Sequence, residues 1–350
     1  MNNVETTGAA PVLRHSAEPS LTALQLAAGS LVSQAIYVAA RLGIADLLAE
    51  APRSAEFLAV ATSSKESSLY RLLRTLASVG VFTDTGDKVF ANTPVSEALL
   101  SDRPDSIKDL VIWLGDPEHW KVYGGLNESV RTGKPAWEMV HGEPVFSYLF
   151  ETNKELGGVF NRAMTSLSKQ VIPAVLASYD FSGYGVIADI AGGHGHLLAA
   201  ILQNNPQAKG ILFDLRPVLD GAQKTVEEYG VSERIDFVSG DMMNEIPVKA
   251  DAYILKHIIH DWPDETNKMI LGNLRRSMPD GAKLLIMDAV IPEGNAPHPG
   301  KIIDMEMLVA PGGVERTAAE YEHLLAGAGF RLTRIINTAS LVSIIEAEKA

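Results

Sequence analysis

Ala188-Asp189-Ile190-Ala191-Gly192-Gly193-His194-Gly195 ties a strand to a glycine turn and then to a helix. Ahead of it, Val186 to Ile190 is an apolar run of strand length, and behind it Leu197 to Leu202 opens a helical pattern. Glycines in such a turn let the backbone come close to a ligand. A second acid closes Gly210-Ile211-Leu212-Phe213-Asp214 about 20 residues on, where a strand-end carboxylate accepts ribose hydroxyls. Two acids at two strand ends therefore bracket one nucleotide-type ligand.

The glycine spacing narrows the ligand. A dinucleotide fingerprint requires G-x-G-x-x-G, and after Gly193 and Gly195 the third glycine position is held by Leu198. Asp189 stands where bound phosphates would meet a carboxylate, and it suits instead a ligand with an amino group or a positive charge. S-adenosyl-L-methionine carries both. An ordinary βα turn without a ligand is the plainer alternative, and Asp214 counts against it.

Outward from this stretch, strand patterns at Val186–Ala191, Gly210–Leu215, Ile235–Val238, Ala252–Lys256 and Lys283–Asp288 alternate with helical ones, which predicts an α/β doubly wound sheet. Arg331–Ile336 and Leu341–Glu346 follow each other across a short turn and predict an antiparallel hairpin at the sheet edge. Helical patterns from Leu21 to about Leu100 precede a hairpin pattern, Gly80 to Phe90, around Thr85-Gly86-Asp87, and together they suggest a winged helix. The chain thus divides into a disordered tail (1–18), a mainly helical winged-helix domain (19–104), an aromatic-rich helical region (105–182) and a ligand-binding domain (183–350).

Composition bounds the function. With 350 residues and 46% hydrophobic content, the chain can build two cores. Its net charge of −13 offers no surface excess to draw nucleic acid or an anionic membrane. Residues 21–104 hold seven Lys or Arg against eight Asp or Glu, so the winged helix lacks a basic recognition face. The absence of cysteine excludes disulfides and thiolate metal sites, and the N-terminus lacks a charged segment followed by an apolar core. Gln25, Ser30, Gln34 and Arg41 interrupt the apolar region Leu21–Leu48, which argues against a membrane span. A cytoplasmic protein acting on a small molecule is expected.

The chemistry gathers after the fourth strand, in Lys256-His257-Ile258-Ile259-His260-Asp261-Trp262, at the carboxyl end of the sheet. His260 is the candidate general base. Asp288 closes the next strand and Glu315 lies in Gly312-Gly313-Val314-Glu315-Arg316-Thr317; either carboxylate can orient the imidazole and stabilise its charged form. His194-x-His196 and His257-x-x-His260 carry no accompanying carboxylate pattern of a metal enzyme, so no metal is expected.

In combination, Asp189 to Gly195, Asp214, Gly240-Asp241-Met242, His260-Asp261-Trp262 and Gly312 to Thr317 resemble the caffeate-type S-adenosylmethionine-dependent O-methyltransferases, bacterial members included, from about residue 20 onward. The resemblance implies a class I methyltransferase Rossmann-like sheet and an N-terminal winged-helix domain that builds an intertwined homodimer. It implies that Asp189, Gly192 and Gly193 hold the methionine end of the cofactor, and that Ser168 reaches its carboxylate. Asp214, with Leu215 beside it, would take the ribose. Gly240, Asp241 and Met242 would flank the adenine, with Lys256 and Trp262 completing that pocket. Phe160 and Met164 would sandwich an acceptor ring, and Trp113, Asp261 and Met307 join them as acceptor-binding candidates. His260 would be the base, supported by Glu315 and Asp288. The chain departs from plant members at His194, at Asp288, which is one methylene shorter than their Glu, and in lacking an Asn within Met307–Pro311. Glu315 is then the better orienter, and the plant substrates are not implied. Nitrogen methylation, a non-methylating reaction on the same scaffold and a ligand-responsive regulator stay open as alternatives.

Overall fold

The structure, a computed structural model, describes residues 18–350. All but the last residue of the expected disordered tail lies outside the described residues.

The described residues form two compact units, one running to residue 120 with 158–166 and one of residues 121–157 with 167–350. In the first, helices Pro19–Ala27, Gly29–Arg41 and Ile44–Leu47 precede strand β1 (Arg53–Ser54), helices Ala55–Ala61 and Glu66–Ser78, and strands β2 (Phe82–Gly86) and β3 (Val89–Asn92). The strands form an antiparallel sheet in the order β1-β3-β2, so a helix pair backed by a hairpin wing is present. The turn of the hairpin falls at Asp87-Lys88, where both residues take positive φ, rather than on the predicted Thr-Gly-Asp. β1 escapes sequence reading because two residues show no periodicity. Leu58, Leu73, Leu76, Phe82 and Phe90 close a core around this sheet.

The apolar region Leu21–Leu48, read as part of several helical patterns, falls largely within three helices. Its later apolar residues, Ala39, Ile44 and Leu48 among them, join the core, whereas Leu24 is 64% and Leu31 72% exposed, with Leu21 and Leu26 also exposed. Among the described residues, Pro19–Arg41 alone is long and apolar enough, by length and composition, to cross a membrane, which the interrupting polar residues did not predict.

The second unit holds a seven-stranded sheet of β4 (Val186–Ile190), β5 (Lys209–Asp214), β6 (Ile235–Ser239), β7 (Ala252–Lys256), β8 (Lys283–Asp288), β9 (Phe330–Asn337) and β10 (Ser343–Lys349), in the order β6-β5-β4-β7-β8-β10-β9. The five central strands are parallel and β10 runs antiparallel between β8 and β9. The final strand starts two residues later than predicted, since Val342 is still in the turn. β5 and β7 flank β4 on opposite sides, so the order reverses at β4, and such sheets open a ligand crevice at that point beyond the strand carboxyl ends. Buried residues on both faces, among them Ile187, Leu198 and Ile254 on one and Ala188, Phe213 and Leu255 on the other, make the sheet a rigid platform.

Candidate active site

Four strand ends present charged side chains at the reversal point: Asp189 on β4, Asp214 on β5, Lys256 on β7 and Asp288 on β8. Asp189 is 1% exposed, and neither carboxylate oxygen has a hydrogen-bond partner among the described residues. Desolvation pushes its pKa up to about 7, against the pull of Lys256. A buried acid with both oxygens open is a receptor for a cationic or donor group. Gly192 has no room for a side chain, because a Cβ there would lie 2.6 Å from Asp189 Cγ and from Leu212 Cδ1.

Asp214 accepts the Gly193 N–H at 2.8 Å and the Leu215 N–H at 2.7 Å, so this acid stitches the glycine turn to the end of β5. Burial pushes its pKa up to about 6, and those two N–H donors oppose the rise. Leu215 itself is 48% exposed. Lys256 Nζ donates to Ser168 Oγ at 2.9 Å, which ties Ser168 to the end of β7. Burial lowers the Lys256 pKa, and Asp189 pulls it back.

Beyond β6, Asp241 caps its own turn by accepting from Met243 N at 2.8 Å, and Gly240 lies where a Cβ would meet the Phe213 ring. Asn273 Nδ2 donates to the Met242 and Met243 carbonyls, and so fixes a loop whose organiser sequence reading missed. Trp262 packs its ring 5.7 Å from Phe146, and its shielded Nε1 finds no partner among the described residues.

His260 sits in a one-turn 3₁₀ helix, Ile259–Asp261, just past β7. Its Nδ1 lies 2.7 Å from Glu315 Oε1, with both groups buried, and its Nε2 is 3.5 Å from Asp261 Oδ1. Asp288, expected at the imidazole, accepts the His260 backbone N–H at 3.2 Å and the Tyr321 hydroxyl at 3.4 Å. As the shorter acid it supports the loop, and Glu315 meets the ring. Burial alone would lower the His260 pKa, but Asp288, Asp261 and Glu315 outweigh it and push the value up to about 10. The same crowding, with desolvation leading, pushes Asp261 up to about 7.

The His260 and Glu315 segments are locked together. Val314 N donates to the His260 carbonyl at 2.8 Å, and a Cβ on Gly313 would fall on that same oxygen. Arg316, 2% exposed, donates to the Ile259, Trp262 and Val314 carbonyls and to Asp264, while Asn267 Nδ2 reaches the Ile259 and Trp262 carbonyls. Asp304 Oδ1 receives the Glu315 N–H at 2.8 Å. Arg316 lies in the glycine-loop motif with no role legible from its pattern, and Asn267 and Asp304 carry no pattern that flags them.

Among the acceptor candidates, Trp113 and Phe160 pack edge to face at 5.1 Å within the first unit, which also holds Met164. Phe160, Met164 and Ser168 recur at i, i+4 and i+8 on one helix and share a face. Asp261 and Met307 belong to the second unit, where the Met307 carbonyl accepts from Gly312 and Gly313. One further grouping was not predicted: ligand atoms of His257, His260 and Asp288 lie within 4.8 Å of one another, so a carboxylate does join the His257-x-x-His260 pair.

An O-methyltransferase domain model matches residues 123–331, and an O-methyltransferase dimerisation domain model matches residues 24–102. The chain belongs to the O-methyltransferase family. Similar members include a phenazine O-methyltransferase of Lysobacter antibioticus, 45% identical over 93% of this chain and 94% of that protein. A phenazine-1-carboxylate N-methyltransferase of Pseudomonas aeruginosa is 33% identical over 93% and 96% of the two chains. The crystal structure of human N-acetylserotonin methyltransferase in complex with S-adenosylmethionine superposes with a TM-score of 0.87 at 26% identity, covering 97% of this chain and all of that one. This O-methyltransferase family member is therefore an S-adenosyl-L-methionine-dependent methyltransferase, with the Rossmann-like sheet and the mainly helical dimerisation domain of its relatives. The relatives include both O- and N-methyltransferases of natural-product biosynthesis.

Proposed function

We propose that the enzyme methylates a hydroxyl group of an aromatic or polyketide-like small molecule, with His260 as general base. The observation that carries this reading is the buried 2.7 Å contact between His260 Nδ1 and Glu315, which makes Nε2, beside Asp261, the nitrogen assigned to the acceptor's proton. A heteroaromatic nitrogen acceptor needs no base, so an oriented and electrostatically supported imidazole favours oxygen. The N-methylating relative keeps nitrogen as the second reading.

S-adenosyl-L-methionine, when bound, supplies a methyl group already activated on a sulfonium. The chain's own residues therefore have two tasks, alignment and proton removal. Asp189, with Gly192, Gly193 and Ser168, would hold the amino-acid end. Asp214 and Leu215 would hold the ribose, and Gly240, Asp241, Met242, Lys256 and Trp262 the adenine side. An unperturbed phenol near pKa 10 facing an unperturbed histidine near 6.5 loses its proton uphill by about 3.5 units, or about 4.8 kcal/mol. With its pKa pushed up to about 10, His260 matches such a phenol, and that gap closes. Glu315 and Asp261 keep the imidazolium stable once it forms. Because the free imidazole becomes more abundant as pH rises towards 10, kcat/KM rises with pH through the neutral range. Glu315→Gln removes one supporting charge and moves this rise to lower pH while lowering the rate; superimposable pH profiles would count against the base role.

Incubating the protein with S-adenosyl-L-methionine and a panel of phenols and hydroxylated heteroaromatics, read by mass spectrometry, tests the reading. A product heavier by one methylene, about 14 Da, and absent with the His260 variant supports base-assisted O-methylation. Cofactor binding without any methylated product counts against it.

Asp189→Asn separates stability from function. The folded-state pKa of Asp189, about 7, lies above the unfolded value near 3.9, so its ionisation costs stability that grows from about pH 4 to pH 7 and persists above. Asn carries no such cost. The variant should melt higher than the parent at pH 8 without cofactor, with little difference at pH 4, and should lose most of its affinity for S-adenosyl-L-methionine by calorimetry. For the parent, cofactor affinity falls as pH drops below about 7, because the acid must ionise to bind an ammonium group.

The proposal also covers assembly and location. Residues 19–104 form the dimerising part, 105–182 the acceptor-pocket region and 183–350 the cofactor domain of a cytoplasmic homodimer. The exposed leucines 21, 24, 26 and 31 supply the apolar surface. Leu24→Glu with Leu31→Glu should shift the protein towards monomer in analytical ultracentrifugation; an unchanged mass would place the interface elsewhere.

A further inference from the structure

Glu315 reaches His260 from a stretch of chain that is neither helix nor strand, so regular pairing does not fix its backbone. Consecutive amides show what does. Gly312 and Gly313 donate to the Met307 carbonyl at 2.8 and 3.1 Å, and Val314 donates to the His260 carbonyl at 2.8 Å. The Glu315 N–H is the one of these four held by a side chain, that of Asp304, whose Oδ1 accepts it at 2.8 Å. Asp304 and Met307 stand at i and i+3 on helix Gly300–Val309 and share the face against which this segment docks.

An acid is a costly residue to place there. Asp304 is half-buried, and desolvation raises its pKa, with the Glu315 and Glu320 carboxylates adding to the rise. The Glu315 N–H leads the groups that oppose it, ahead of Arg316. The charge is therefore sustained chiefly by the bond to Glu315, and a bond to an ionised acceptor is stronger than one to a neutral oxygen.

We propose that Asp304 is a positioning residue for the methyl-transfer reaction: by tying the Glu315 backbone to helix Gly300–Val309, it holds the Glu315 carboxylate against the His260 imidazole. This rests on the general-base reading above. The Glu315 side chain can keep its 2.7 Å contact only if its backbone is fixed, and displacing a catalytic group by about 1 Å costs up to about 10²-fold in rate. The segment has other ties, since Val314 holds the His260 carbonyl and Ile291 N donates to the Arg316 carbonyl at 3.0 Å. Loss of the Asp304 bond therefore frees Glu315 without releasing the loop.

NMR titration of the full chain labelled with nitrogen-15 in its histidines, with His260 assigned by the signal missing from His260→Ala, tests this beside pH profiles of kcat/KM. Asp304→Ala should lower the His260 pKa by at least about one pH unit, because Glu315 is one of the acids that hold it up. It should also lower kcat about tenfold and move the rise of kcat/KM to lower pH, with the dissociation constant for S-adenosyl-L-methionine unchanged. Asp304→Asn keeps the accepting oxygen without the charge and should restore most of the pKa and the rate. A His260 pKa and pH profile that Asp304→Ala leaves at wild-type values overturn the proposal even if Tm falls, since a purely structural role moves Tm alone. Asp304→Asn behaving as Asp304→Ala also overturns it, because the charge and not the bond would then be at work. Should the alanine variant not fold, Asp304→Leu, close in size and without an accepting atom, repeats the comparison. The titration needs no turnover, and Glu315→Gln reports separately on the base reading, so the two can fail independently.

Discussion

His260→Ala is expected to lower kcat by a factor of about 10²–10⁴ while leaving the dissociation constant for S-adenosyl-L-methionine unchanged. The loss is large because three acids surround one histidine, two at its ring and one at its backbone N–H. Asp288, Asp261 and Glu315 together outweigh a desolvation that would otherwise lower its pKa, and Ala removes the imidazole that Glu315 meets. The cofactor residues are separate, since Asp189 and Asp214 end β4 and β5 while His260 follows β7. Stopped-time assays with isotopically labelled methyl donor, beside calorimetry of cofactor binding, make the measurement. A variant with near-normal kcat would remove the general base from the mechanism.

Gly313→Ala should reduce kcat by about 10²-fold, although Gly313 carries no chemistry. The new Cβ would fall on the His260 carbonyl oxygen and lie 2.8 Å from Asp261 Cα, both backbone atoms that cannot step aside. The His260 and Glu315 segments must separate, which breaks the Val314 N–H bond to that carbonyl and withdraws Glu315 from the imidazole. Gly183→Ala, where a Cβ meets nothing within 4 Å, is the control and should be neutral. The separation should also lower Tm. If Gly313→Ala retained both its rate and its pH profile, tight apposition of the two loops would not be what sets the Glu315 contact.

The sheet was legible because buried parallel strands write themselves as apolar runs, and all five of these, with β9 beside them, fall within a residue of the predicted bounds. The hairpin wing was legible in outline but misplaced at its tip, since Asp87 and Lys88 adopt positive φ without a glycine. β1 was invisible at two residues. Within the site, acids at strand ends could be named from local patterns, but their partners could not. The shorter side chain of Asp288 marks Glu315 as the better orienter, but only the chain path shows Asp288 accepting the backbone N–H while Glu315 meets the ring. Arg316, Asn267, Asp304 and Asn273 bind carbonyls and amides of remote segments, and such bonds leave no periodicity.

What the sequence by itself determined is whatever depends on neighbours along the chain: the strand-turn-helix at Asp189, the acid at the end of β5, the βα alternation and the apolar leucines before residue 48. What only the tertiary structure decided depends on distance through space. The Glu315 carboxylate, 55 residues from His260, comes to 2.7 Å because β7 and β8 are adjacent and Arg316 ties the later loop to the earlier one. His257 follows the same rule. Its spacing to His260 was visible from the start, but its strained backbone and two unpaired nitrogens arise from the packing of β7 against β8, which no local pattern encodes.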